Sequence, residues 1–100
     1  MSYTVLIPAP IKRDIATWGL PRELHLEVYR KLIQELAANP DAHLGEVIVP
    51  LLARSYSFTL VDNQRLPHQH VFMFAIERDD ASRVLRVVGC RHSTEDTGTN

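Results

Sequence analysis

His70-Val71-Phe72-Met73-Phe74-Ala75-Ile76-Glu77, then Arg78-Asp79-Asp80-Ala81-Ser82, then Arg83-Val84-Leu85-Arg86-Val87-Val88-Gly89-Cys90 is the stretch that decides the fold. Two runs rich in β-branched and aromatic residues flank a short polar join, which is the pattern of a β-hairpin. Just upstream, Tyr56, Phe58 and Leu60 alternate with Ser57, Thr59 and Val61. That period of two belongs to a strand with one face buried. The intervening Asp62–Gln69 segment is polar and contains a proline, so it reads as an exposed loop. Three consecutive antiparallel strands are therefore expected from about Tyr56 to His92, with Tyr56, Phe58, Phe72 and Phe74 in the core.

Working outward toward the N-terminus, Tyr3–Ile7 is a short β-favouring run closed by Pro8, which cannot donate to a ladder. Beyond Pro10 the period changes. Ile11, Ile15 and Trp18 fall on one helical stripe, and Gly19 suits the position after the last turn. A second helix is expected from Pro21 to about Ala38, with Leu24, Val28, Leu32 and Leu36 every fourth residue, Tyr29 and Ile33 widening the stripe, and Glu27 pairing with Lys31. Asn39-Pro40 ends it. Two helices joined only by Gly19-Leu20 imply a helical hairpin. Residues 41–54 match neither period and read as a buried connector. The expected fold class is α+β in the order β-α-α-β-β-β, a helical hairpin packed on a small antiparallel sheet. A single domain is expected over residues 1–92, with a flexible tail over 93–100.

At 100 residues the chain suits one core, and with 45% hydrophobic and 23% charged residues it lies in the globular range. No apolar run approaches a bilayer span and the N-terminus lacks signal-peptide features, so a cytoplasmic location without membrane contact is expected. Cys90 is the sole cysteine, which excludes an internal disulfide and a multi-cysteine metal cluster within the chain. A formal net charge of -1 and a pI near 6.5 give no general excess of cations for gripping phosphates. The four glycines are scattered, so there is no phosphate-cradling loop, and no nucleophile elbow occurs. His68 and His70 stand two apart at the entry to the third of the four expected strands, with His92 near the end of its neighbour. Three imidazoles so placed are the constellation a small metal- or ligand-binding domain would use, although His70 reads more simply as a partly exposed strand residue.

The order strand, helical hairpin, three antiparallel strands and a terminal Arg/His pair resembles the RelE/ParE superfamily of small toxins and plasmid-stabilisation proteins. The residues that carry the resemblance are Leu32–Pro40, His70–Ile76 and Val84–His92. The likeness implies a toxin-like component of a type II toxin–antitoxin system, with a cognate antitoxin as partner and the ribosome and messenger RNA as further targets. If the chain is an enzyme, the resemblance implies an endoribonuclease that needs no metal and no cofactor. That chemistry requires a base for the ribose 2'-hydroxyl, a cation beside the phosphate and an acid for the leaving 5'-oxygen. Arg91 and His92 match the family's basic and acid–base positions, with Arg65 or Arg86 as supplementary cations.

Two departures weigh against cleavage. The arginine that nuclease members place three residues before the strand aromatic is replaced by Val71, and their C-terminal tyrosine is missing from a tail that reads Ser93-Thr94-Glu95-Asp96. A degenerate descendant that acts only through protein binding is the alternative, and an exposed sheet edge could equally pair with a second copy to make a homodimer.

Overall fold

The computed structural model describes residues 2–48, 53–62 and 68–96. Among the described residues, five strands form one sheet: β1 (Thr4–Leu6), β2 (Val47–Ile48), β3 (Ala53–Asp62), β4 (His68–Asp79) and β5 (Val84–Asp96). Their order across the sheet is β1-β5-β4-β3-β2. β5, β4, β3 and β2 run antiparallel to their neighbours, whereas β1 pairs parallel with β5. Among the same described residues, three helices accompany the sheet: α1 (Ala9–Thr17), α2 (Arg22–Arg30), which continues as a π-helical stretch over Lys31–Leu36, and α3 (Pro40–His43). The fold is thus the expected α+β arrangement. The unreadable 41–54 segment supplies most of α3, all of β2 and the first two residues of β3, with residues 49–52 outside the described part.

The helices begin and end for local reasons. Pro10 sits in the first turn of α1, where its missing N–H costs nothing. Gly19 takes φ +63° just after the C-cap Trp18, a conformation that an L side chain resists. Four residues on a regular α-helix advance about 40° beyond a full turn, so a strict four-residue spacing slowly drifts off the sheet. The wider π-helical turns compensate, and Val28, Leu32 and Leu36 all stay fully buried. Ile33, expected on the stripe, is instead 51% exposed. Glu27 pairs with Arg30, and Lys31 turns to Glu35 at 3.3 Å, rather than the two pairing with each other.

The core lies between α1, α2 and one face of the sheet, and comprises Ile11, Ile15, Val28, Leu32, Leu36, Tyr56, Phe72, Phe74, Ile76, Leu85 and Val87. The opposite sheet face carries Met73 and Val61, both more than 40% exposed. β5 runs on through Ser93–Asp96 beside His68–Val71, where the sequence suggested a tail. At the far end of the hairpin, Arg78 donates to Asp80 and Asp41 and lies over the Tyr3 ring, which ties β1, α3 and the β4–β5 turn together.

Leu32 and Leu26 lie on the same long helix, one fully buried and one 55% exposed. Leu32→Ala is expected to lower unfolding free energy by about 2–5 kcal/mol, and Leu26→Ala by less than about 0.5 kcal/mol, measured by urea denaturation.

Candidate functional site

The face on which β5 presents its C-terminal residues is decided by one extra residue. Ala75 pairs with Gly89 and Ile76 with Val87, so Val88 has no partner on β4. Such a bulge inverts the alternation downstream of it. Leu85 and Val87 face the helices before it, and Cys90 and His92 do so after it. Were Val88 paired in regular register instead of bulged, Gly89 and Arg91 would hold those inward positions.

His92 therefore lands in an aromatic cluster. Its ring lies 5.1 Å from Trp18 at an interplanar angle of 23°, and 5.1 Å from Phe72. Trp18 is delivered there by the C-cap of α1, its backbone N–H donating to the Ile15 carbonyl. His70, expected to be partly exposed, is 7% exposed, and its Nδ1 lies 3.0 Å from Nε2 of His92. Burial, reinforced by the positive charge His70 can carry, holds His92 below the ordinary imidazole range. The cluster continues through Phe58, 5.1 Å from Phe72, to Lys31, whose Nζ sits 5.4 Å above the Phe58 ring. Cys90, two residues before His92, is half-buried, and burial first and the Asp14 carboxylate second push its thiol up, which keeps it a poor nucleophile.

The remaining predicted site residues scatter. Arg91 pairs with Met73 on the uncovered face, beside Ile48, Ala75 and Gly89, and so points away from His92. A group bound on one face of the sheet meets only one of the two. Arg86 lies six residues from His92, roughly 20 Å along the strand, and donates to Glu77 at 3.3 Å in a shallow groove that Leu6 and Val84 also line. Arg65 lies outside the described residues. Val71 pairs with Ser93 on the open face. Of the three histidines considered together, His70 and His92 meet, whereas His68 is described only by its backbone position opposite Asp62 and Asp96. No cluster of three or more metal-ligating side chains occurs among the described residues. The sequence missed Trp18 and Lys31 as members of this cluster, because each read as an ordinary helix position. The alternating row His70, Phe72, Phe74 was the one signal that could have placed His70 inside.

No known family profile and no curated protein matches the sequence. Among solved structures, the toxin–antitoxin complex RelBE2 from Mycobacterium tuberculosis contains a chain that superposes with a TM-score of 0.65 at 16% identity, covering 93% of this chain and 100% of that one. An arginine-to-alanine double mutant of the E. coli toxin RelE, in the free state, superposes with a TM-score of 0.57 at 14% identity, covering 90% and 82%. The chain has the RelE-like toxin fold.

Two outcomes check the bulge and the imidazole environment. Deleting Val88 removes the unpaired residue and leaves the alternation on β5 unbroken, so Cys90 and His92 are expected to stay toward the helices and Arg91 away from them, at a cost of no more than about 3 kcal/mol by urea denaturation. Because folding lowers the pKa of His92 from its ordinary 6.5, the unfolded chain binds its proton first as pH falls. Stability is then full above about pH 6.5 and declines below it, until the folded pKa is passed. The thermal midpoint of the natural chain is expected to fall more between pH 7.5 and 5 than that of His92→Gln.

Proposed function

We propose that this chain is the toxin-like component of a cytoplasmic type II toxin–antitoxin pair, bound and silenced by a cognate antitoxin. The observation that carries this reading is the end-to-end agreement of its fold with a chain taken from a toxin–antitoxin complex. Exposed apolar side chains on two surfaces support it: Leu26 and Ile33 on the long helix, and Leu6, Val47, Val61 and Met73 around the sheet. Such surfaces suit coverage by a partner chain.

Within this reading His92 is the acid–base group of messenger-RNA cleavage at the ribosome. Its lowered pKa supports that role, since the ring is neutral and able to accept a proton at physiological pH. Arg91, Arg65 and Arg86 are the cations carried over from the family. Arg91 faces the other side of the sheet, so the cation beside the scissile phosphate is sought on the helix side, where Lys31 lies over Phe58. The competing interaction-only reading draws on Val71, which puts an aliphatic chain where the nuclease members carry a guanidinium.

Induced expression in a bacterial host separates the two. The nuclease reading expects growth arrest, loss of transcripts, relief by co-expression of the antitoxin encoded beside the gene, and cleavage about 10²–10⁴-fold slower in His92→Ala, with Arg91→Ala close to the natural chain. Unchanged growth and transcripts, with the antitoxin still bound in a pull-down, would leave interaction as the sole activity. Failure to bind the adjacent gene's product would remove the toxin–antitoxin reading altogether.

A further inference from the structure

We infer that His70 and His92 form a single proton-sharing imidazole dyad, in which His70 is the positioning residue that holds the ring of His92 and sets which of its nitrogens carries the proton. The catalytic use of the dyad rests on the cleavage role proposed above for His92. Its existence as a dyad does not.

The geometry is specific. The two rings lie within 19° of parallel, with centroids 5.3 Å apart and the two nitrogens 3.0 Å apart. The centroid separation exceeds the nitrogen separation by about two ring radii, so the rings meet end-on through their lone pairs and not face to face. This is an N–H···N hydrogen bond of ordinary length. It is a poor chelate, since a tetrahedral ion held at 2.0–2.1 Å by both nitrogens needs them about 3.3 Å apart with lone pairs converging on a common point. The sheet makes the arrangement rigid. Phe72 pairs with His92 and Thr94 pairs with His70, so the imidazoles are diagonal neighbours across two strands. Trp18 lies against the ring of His92, and Phe72 sits 6.2 Å from His70 at 14°.

The chemistry follows from the shared nitrogen. His92 uses Nε2 toward His70, which leaves Nδ1 for a substrate. When Nε2–H donates to Nδ1 of His70, Nδ1 of His92 is bare and basic. A proton taken there from a ribose hydroxyl gives an imidazolium whose Nε2–H bond to His70 becomes charge-assisted and shorter. Returning that proton from Nδ1 to the departing 5'-oxygen restores the neutral pair, so protons balance over the cycle. Double protonation is opposed by two like charges at hydrogen-bond distance. The charged or titratable groups facing the dyad from the other elements are Asp14 of α1, held at Cys90; Lys31 on the long helix, above Phe58; and Asp62 of β3, two residues beyond the Leu60 that pairs with His70.

The test is nitrogen-15 NMR of the imidazoles in the full-length chain, titrated from pH 8 to 5, for the natural protein, His70→Asn and His70→Leu. The expected result is scalar coupling between Nδ1 of His70 and Nε2 of His92, with His92 in its Nε2–H form at neutral pH. In His70→Leu the His92 midpoint should move and its tautomers should mix. In His70→Asn, whose amide reaches the Nδ1 position, the single tautomer should be retained. Circular dichroism establishes that each variant is folded. Absence of the coupling, or a His92 tautomer and midpoint indifferent to both substitutions, overturns the dyad. In the growth assay, arrest lost in His70→Leu and kept in His70→Asn supports its catalytic use. No arrest by the natural chain would refute the cleavage reading, while the coupling still decides the dyad.

Discussion

Side chains on a strand alternate between two faces, and a single unpaired residue reverses the sense of everything beyond it. In this chain that residue is Val88. The long pairing of β4 with β5 depends on it, because Leu85 and Val87 must face the helices at one end while Cys90 and His92 do so at the other. The core row Phe72, Phe74 and Ile76 continues on β4 without interruption. The bulge is confined to β5, and leaving Val88 unpaired is what puts histidine and not arginine on the helix-covered face.

That selection shapes the local electrostatics. A guanidinium in the inward position would have to be desolvated among Phe72, Trp18 and His70, at a cost of several kcal/mol unless paired. An imidazole can enter neutral, and burial keeps it so. The cluster is consequently aromatic and weakly polar. Lys31 at its margin rests on a ring and an ion pair with Glu35. Cations such as Arg86 are left on the open face, where they serve exposed pairs of little energetic weight.

The helical layer meets this sheet through a compromise of its own. A four-residue repeat of Val28, Leu32 and Leu36 is kept on the sheet by π-helical turns, and the exposure of Ile33 is the counterpart of that adjustment. The long helix thereby keeps a continuous apolar contact inward while presenting Leu26 and Ile33 outward. β1, only three residues long, is anchored in parallel to β5, with its approach stiffened by the Tyr3, Arg78 and Asp80 contacts. The chain therefore closes its N-terminus against the first part of its last strand, over Val84–Arg86, whereas at Cys90 and His92 β5 is paired with β4 alone among the described residues.

Local pattern was enough to read the element types. The alternation at Tyr56–Val61, the hairpin around Asp79-Asp80, the stripe from Leu24 to Leu36 and the stops at Pro8, Gly19 and Pro40 all depend on residues within a few positions of one another, and each is present as read. Partner choice was beyond such reading. The parallel docking of β1, the short β2 and α3, and the meeting of Trp18 with His70 and His92 are set by contacts between segments far apart in the chain. The sequence by itself determined the layers and the apolar faces, because period and turn chemistry are local properties. Which face received Arg91 and which received His92 was decided only in the tertiary structure, since whether Val88 is paired or bulged leaves no mark on composition or propensity and is settled only once β5 is held in register against β4.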